Sequence, residues 1–440
     1  MSTSRGEARL TRDDLVAQYH SWGRPRDEFL VGAELERHLL RADGTPVPYF
    51  GKDGVAWLLG RTTPDGWEPY FEGENQIAAY RSNASITLEP GSQFELSTAP
   101  YKTTGEVAAE TAAFVQRIDE IVAGRDIHQV ALGFTPFAEI GDVPWVPKGR
   151  YVVMREYLSR TGALSHHMMK GTCATQASYD FSDEADAGRK VRLGIQLGPL
   201  TTAMFANSPL SGGKPTGYAS WRGHIWTETD PRRSGFPEAA ERFDFERWVD
   251  WLLSVPMMFY KRGGIWQAAN GRTFLDWMGD TEHPPTQGDW DLHLTSVFPE
   301  VRVKKTIEVR GADCVPTPLA MAFVALFRGL FYVPAALDRA TELAERLSAH
   351  GTKEERFEAA CRGGLTGVVG GRSLARWAQE LVEIARSTFD ADDLAHLGPL
   401  EAVVASGESP AHAWLRAWSA EPTPSNLIRL SHPSGRVPAA

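Results

Sequence analysis

The segment Ser85-Ile-Thr-Leu-Glu-Pro-Gly-Ser-Gln-Phe-Glu-Leu-Ser97 constrains this chain more than any other. A strand-like alternation runs into Glu89, breaks at Pro90-Gly91, and resumes to Glu95. Pro-Gly is a strong turn signal. A turn there folds the two arms together and brings both carboxylates to one surface. Acids side by side in a half-buried sheet repel and lose hydration, so a cation belongs between them. Hard oxygen donors of this kind suit Mg²⁺. The segment therefore predicts one wall of a metal–phosphate site.

The surrounding composition is that of a globular protein, with 42% hydrophobic and 23% charged residues over 440 positions. A net charge of -10 argues against a general nucleic-acid binder, which needs a basic face to displace counterions. The N-terminal residues have no apolar core of the signal-peptide kind. No run is long and apolar enough to span a bilayer. The richest stretch, Pro316 to Leu337, is interrupted by Arg328 and Pro334 and reads as a buried helix. Cys173, Cys314 and Cys361 are scattered and odd in number, which disfavours a disulfide framework or zinc knuckle. A reducing cytoplasm is the expected location.

Residues 1–27 read as a charged lead-in helix with a loose end. From Phe29 to Glu36 the pattern is that of a strand, with Glu34 and Glu36 on one face. Trp67 to Arg81 predicts short strands around a polar turn at Glu72-Gly-Glu-Asn75. Gly105 to Gly124 has helical apolar spacing, and His128 to Phe134 reads as a short strand. Pro144 to Arg150 is a loop leading into a helix, and Thr172 to Phe181 a strand. A core helix starts at Ser182 as its cap. Ala219 to Trp226 and Val301 to Val309 read as strands, and Phe243 to Leu253 as an amphipathic helix. After Pro316 nearly everything is helical, and the last dozen residues read as loose. No internal repeat or long linker divides the chain, so residues 1–440 are expected to form one catalytic domain. Its parts are a lead-in (1–27), a sheet-based core (28–315) and a helical part (316–430). Uneven strand spacing favours an α+β fold, a mainly antiparallel sheet with helices on one side.

The chain lacks G-x-x-x-x-G-K-[ST], a strand–turn–helix G-x-G-x-x-G, H-E-x-x-H and the G-x-S-x-G elbow. What remains is an excess of acids on strands: Glu34, Glu36, Glu89, Glu95 and Glu308. One strand glutamate alone is usually a solvated face, but several acidic strands in one sheet run against strand propensity. Glu308 and Arg310 share a strand face, as a structural ion pair or as part of a site. Lys148 and Arg150 lie in a Pro-Gly loop, Arg222 and His224 alternate near Trp226, and Lys304 and Lys305 precede Glu308. Beside a carboxylate cluster these cations form a plausible clamp for phosphates and a substrate carboxylate.

Several motifs then occur together: Gly32-Ala-Glu-Leu-Glu36, the Ser85–Ser97 segment, Pro147-Lys-Gly-Arg-Tyr151, Asp180-Phe-Ser-Asp-Glu-Ala-Asp186, Phe205-Ala-Asn-Ser-Pro209, His224-Ile-Trp-Thr227, and Phe298-Pro-Glu-Val-Arg302 through Arg310-Gly-Ala-Asp313. In this order, over about residues 30–320, the set resembles glutamate–cysteine ligase of the plant and proteobacterial type. After about residue 335 the resemblance is only in being helical. It implies a glutamine-synthetase-like antiparallel funnel and ATP-dependent joining of the glutamate γ-carboxylate to the cysteine amine. By motif position, Glu34, Glu36, Glu89, Glu95 and Glu308 are the metal-side acids. Arg150 and Arg222 hold substrate glutamate. Arg310 and Lys304–Lys305 face phosphate, with Lys148 also on the nucleotide side and Glu308 and Arg310 nearest the chemistry. The small-molecule partners implied are ATP, glutamate and cysteine, with Mg²⁺ as cofactor and no nucleic-acid or membrane partner. A monomer or weak homodimer is expected.

The chain departs from the family where Cys314-Val-Pro-Thr317 replaces Gly-Gly-Pro-Trp and where Met258 replaces an aromatic. Both places are expected to border the acceptor pocket, so Met258 and Cys314 join the substrate-binding candidates. Cys314 is either a pocket thiol or structural. The cysteine pair of plant relatives around Trp266 to Pro285 is missing. Two alternatives stay open: a γ-glutamyl ligase for another amine, and a catalytically silent sensor on the same scaffold.

Overall fold

The structure is a computed structural model that describes residues 9–438. Nine strands form its main sheet: β1 (Val31–Leu40), β2 (Glu68–Glu72), β3 (Asn75–Arg81), β4 (Ala84–Leu88), β5 (Phe94–Ser97), β6 (His128–Val130), β7 (Ala174–Tyr179), β8 (Val301–Val303) and β9 (Ile307–Asp313). Their order is β8-β9-β7-β1-β5-β4-β3-β2, with β6 on β1, and every pairing is antiparallel.

The helices that matter to the site are α1 (Arg12–Ser21), α2 (Thr104–Val122), α3 (Gly149–Leu158), α4 (Glu184–Phe205), α5 (Trp221–Thr227), α6 (Phe245–Ser254), α7 (Thr317–Tyr332), α8 (Pro334–Ser348) and α9 (Lys353–Gly363). Alternation decides how they meet the sheet. Val31, Ala33 and Leu35 of β1, and Val301, Val303, Ile307 and Val309 of β8 and β9, are buried apolar residues of one core cluster. Glu34 and Glu36 alternate with the first set, Arg302 and Glu308 with the second. Gly194 lets α4 approach so closely that a Cβ there would lie 2.8 Å from Val301. The Tyr179 hydroxyl donates to the Val324 carbonyl of α7 at 3.0 Å. The sheet thus carries helices on its apolar face and charge on the other. The α+β expectation of an antiparallel sheet flanked by helices holds, and a single apolar cluster runs from Leu15 to Val404.

Several local expectations change. Ala219 to Trp226 is not a strand: α5 forms there, because the Ser220 hydroxyl caps it by accepting from Gly223 N at 2.9 Å. Val301 to Val309 is a hairpin, turned where Lys304 N donates to Thr306 O at 3.0 Å. The cap of α4 is Asp183 rather than Ser182. Pro316 to Leu337 divides into α7 and α8, bent by 101° where Pro334 opens α8. No single helix among the described residues is long and apolar enough to cross a membrane. Of the last dozen residues, 439–440 lie outside the described residues, and Ser431 and Pro433 are tied down rather than loose. Ala131 N donates to Ser431 O at 2.8 Å and Thr317 N to Pro433 O at 2.7 Å. Residues 1–8 of the expected lead-in lie outside the described residues.

Candidate active site

The predicted turn exists. Glu89 N donates to Gln93 O at 3.0 Å, and Ser92 takes the left-handed conformation at φ 71°. Gly91 is required by contact: a Cβ there would lie 2.2 Å from the Lys170 carbonyl oxygen. The Gln93 amide locks the turn to the same neighbour, donating to Met169 O at 3.2 Å and Thr172 O at 2.9 Å. The register then sets Glu36 of β1 directly opposite Glu95 of β5, and Glu95 opposite Thr87 of β4. Directly opposed residues on antiparallel strands share a face, and like charges there destabilise the sheet.

The carboxyls show that strain as proton affinity. Burial, reinforced by Glu89, pushes Glu36 up to about 8 against the pull of Arg222. Burial also raises Glu95 well above the usual range, with Glu34, Glu89 and Glu36 adding to it. Burial and Glu308 raise Glu34. Glu36 accepts from Ala174 N at 2.6 Å and from the Gln176 amide at 3.1 Å, and Glu95 accepts from the Thr87 hydroxyl at 2.6 Å. Among the described residues, none of Glu34, Glu36, Glu89 and Glu95 belongs to an ion pair. Buried hard-oxygen donors without a cation fit Mg²⁺ by their chemistry. A tighter group of acids, Asp390, Asp392 and Asp393, lies elsewhere and is already used. Asp392 and Asp393 accept from Thr104 and Gly105 at the start of α2, and Asp393 pairs with Arg328 at 2.7 Å.

Glu308 differs from the other acids. Arg302 grips it with two bonds, Nε to Oε2 at 2.6 Å and Nη2 to Oε1 at 3.0 Å, and Arg310 Nη1 adds a third at 2.8 Å. Burial alone would raise this carboxyl, but Arg302, Arg310 and Lys304 outweigh it and hold it far below the usual range. Its expected place among the metal ligands gains no support from this pairing. A carboxylate already neutralised by guanidinium groups gains little from another cation, and Glu308 instead anchors them. Arg310 also donates to the Gln176 side chain, which itself donates to Glu36. One chain of bonds thus joins the clamp to the acids. Lys304 sits 4.0 Å from Glu308, whereas Lys305 is exposed at the hairpin turn and has no ion pair among the described residues. The expected phosphate-facing role of Lys305 gains no support from this position.

The expected glutamate-binding arginines lie in different neighbourhoods. Arg150 is in the first turn of α3, stacked over Phe259 at 5.1 Å, with a buried Nε that has no partner. Beside it Lys148 donates to Leu88 O at 3.4 Å, and burial lowers its pKa against the pull of Glu89. Tyr151 donates to the same carbonyl at 2.7 Å and reaches Glu89 at 3.5 Å. Arg222 is buried on α5, donating to Arg310 O at 2.9 Å and lying 3.8 Å from Asp313. Its Nε also lacks a partner, as does Oε2 of the buried Glu300.

Met258 and Cys314, expected to border the acceptor pocket, are both buried. Met258 packs in the main apolar cluster. Cys314 packs with Ala131 and Cys173, accepts from Arg37 at 3.1 Å and donates to Glu36 O at 3.1 Å. Burial pushes its thiol up to about 11. Gln176 and Arg302 are site residues that motif reasoning left without a role. Only the cross-strand register brings them to the acids, Gln176 opposite Glu34 and Arg302 opposite Glu308.

With this geometry in hand, similar proteins can be placed. Glutamate–cysteine ligase, chloroplastic, of Nicotiana tabacum is 36% identical over 93% of this chain and 80% of its own length. The Arabidopsis thaliana enzyme of the same name is 35% identical over 94% and 80%. Glutamate–cysteine ligase B, chloroplastic, of Oryza sativa subsp. japonica is 35% identical over 93% and 84%. These relatives overturn the cytoplasmic expectation, since their names place them in the chloroplast. Scattered thiols and a polar N-terminus do not distinguish one reducing compartment from another. Glutamate–cysteine ligase from Francisella tularensis in complex with AMP shares the fold, at TM-score 0.58 and 13% identity over 92% of this chain and 87% of that one. The likeness also extends beyond the motifs near residue 320. The model of glutamate-cysteine ligase family 2 matches residues 30–430, helical part included, and the chain belongs to that family.

Proposed function

We propose that this glutamate–cysteine ligase works by ATP-dependent activation of the glutamate γ-carboxylate, with Mg²⁺ held by Glu34, Glu36, Glu89 and Glu95. The observation that carries the reading is charge placement. Glu36 and Glu95 are buried and Glu34 and Glu89 half-buried, none has an ion-pair partner among the described residues, and Glu34, Glu36 and Glu95 share one sheet face with an arginine-held carboxylate. The AMP in the Francisella tularensis enzyme agrees with a nucleotide-using reaction. Bound there, Mg²⁺ supplies charge neutralisation for the triphosphate.

The chain's own residues then have defined work. Lys148 and Lys304 neutralise phosphate oxygens. Arg310, oriented by Glu308 and Gln176, faces the phosphoryl group as it moves to the γ-carboxylate oxygen and ADP departs. Arg150 and Arg222 fix the substrate glutamate, each with an unsatisfied Nε to offer. The cysteine amine attacks the acyl carbon, loses a proton, and phosphate leaves. No protein nucleophile is required, because the catalysis is positioning and electrostatic stabilisation. The whole chain acts as one catalytic unit, as a monomer or weak homodimer.

A coupled assay of ADP release, with glutamate and cysteine omitted in turn, tests the reading. ADP release is expected only with both present, and cysteine is expected to give the highest kcat/KM in a panel of amines. A bulky or non-amino-acid amine that outruns cysteine, or free replacement of glutamate by aspartate, contradicts it.

A further inference from the structure

Away from the acids, a cavity of about 450 Å³ opens between α4, the Phe236 segment and the start of α9. Its charge is lopsided. Arg192, Arg242, Lys353 and Arg356 line it against the single acid Glu241. Lys353 spends its charge on Glu241 at 2.6 Å, and Arg242 lies 3.6 Å from Glu238. Arg192 and Arg356 have no carboxylate within ion-pair range among the described residues. Arg192 makes one long bond, to Phe243 O at 3.3 Å. Arg356 is mostly buried. Its Nη1 donates to the carbonyls of Ser348, His350 and Gly351, while its Nε and the nearby Ser348 hydroxyl have no partner. Burial lowers the Arg356 pKa, with only the distant charge of Glu354, Glu241 and Glu355 opposing it.

A buried guanidinium without a counter-charge is costly. Guanidinium groups match carboxylate and phosphate oxygens in a planar fork. The opening turn of α9 adds the positive end of its dipole on the same side. Ile195, Pro199 and Phe236 give the cavity an apolar wall, and its volume lies in the range of small-molecule sites.

We propose that this cavity binds a multivalent oxyanion carried on a small organic frame, separately from the catalytic face. Arg192 and Arg356 hold the anionic end, and the frame lies on Phe236 and Pro199. An organic phosphate and a tricarboxylate present the same chemistry, so the probes are glycerol phosphate and tricarballylate.

Titration calorimetry on the full chain, with saturating Mg·ADP on the catalytic face and KCl matching ionic strength, reads the site. Wild type is expected to bind at least one probe saturably, and the stronger probe identifies the frame. Arg192→Gln at a partly exposed position and Arg242→Gln at an exposed one each remove a cavity cation and keep kcat/KM for ATP, glutamate and cysteine. Arg192→Gln is expected to weaken the probe at least about tenfold, as loss of a charged hydrogen bond does. Arg242→Gln, at the rim, is expected to weaken it less. No saturable binding beyond the KCl control overturns the proposal. So does equal affinity in wild type and both folded variants, which would assign the anion to the catalytic face instead.

Discussion

Four carboxylates along β1, β5 and the turn before β5 have no ion-pair partner among the described residues, while Glu308, two strands from β1 in the same sheet, has a bidentate arginine and a second guanidinium. Backbone geometry is alike in both regions; the neighbours differ. At the acid end, antiparallel register places Glu95 opposite Glu36. At the clamp it places Arg302 opposite Glu308. One region is complete as folded, and the other is stable only at the expense of raised proton affinity. Buried polar groups left uncompensated are the ones available for a ligand.

The contrast breaks most visibly if the balanced end is unbalanced. Glu308→Ala strands Arg302 and Arg310 together and is expected to cost about 3–5 kcal/mol in urea denaturation. A loss below about 1 kcal/mol would mean that the clamp is solvated rather than paired.

The acid end should respond in the opposite sense. Glu95→Gln, and likewise Glu89→Gln, is expected to remove about 3 kcal/mol of transition-state stabilisation, comparable to losing one electrostatic donor. In metal-free buffer the same variants should melt no lower than wild type, because each takes an acid out of a cluster whose members repel on ionising. Near-normal turnover at limiting Mg²⁺ would end the metal assignment.

A smaller effect sharpens the boundary between the regions, where Arg222 touches both Asp313 and Arg310. Arg222→Lys keeps the charge and loses the fork. It should raise the glutamate KM about tenfold, the size of one charged hydrogen bond, and leave that of ATP nearly unchanged. An effect confined to ATP would move Arg222 to the nucleotide side.

The smallest expected effect is a slope with pH. Glu36 is raised from 4.5 to about 8, so the folded protein keeps a proton there that the unfolded chain releases. Stability contributed by that proton is present below pH 4.5 and lost as pH climbs toward about 8. Metal-free melts should therefore fall across this window, by no more than about 1.4 kcal/mol per pH unit from this carboxyl. Mg²⁺ should flatten the slope. Flat melts without metal would show that the acids do not repel as their register implies.

Much of this could be read before folding, for physical reasons. Pro90-Gly91 announces its turn locally, and alternation assigns Glu34 and Glu36 to one face. Arg222 was misplaced on a strand because Arg222, His224 and Trp226 alternate by chance over a stretch as short as α5. The decisive cue was the single hydroxyl of Ser220. Gln176 and Arg302 were silent because their partners are chosen by register, which no local pattern encodes. Met258 and Cys314 differ in another way: each departs from the family pattern, and their burial is set by packing that no such departure encodes.

The docking of Ser431 and Pro433 has a consequence in time. The amide of Ala131 finds its acceptor at Ser431, and that of Thr317 finds its own at Pro433. A ribosome must therefore deliver the chain as far as residues 431 and 433 before these two amides find those acceptors. Strand β7 likewise waits for β9, made more than a hundred residues later. Such distant pairings close slowly. During synthesis the half-built sheet presents open edges, the kind of surface on which nascent chains aggregate and chaperones act.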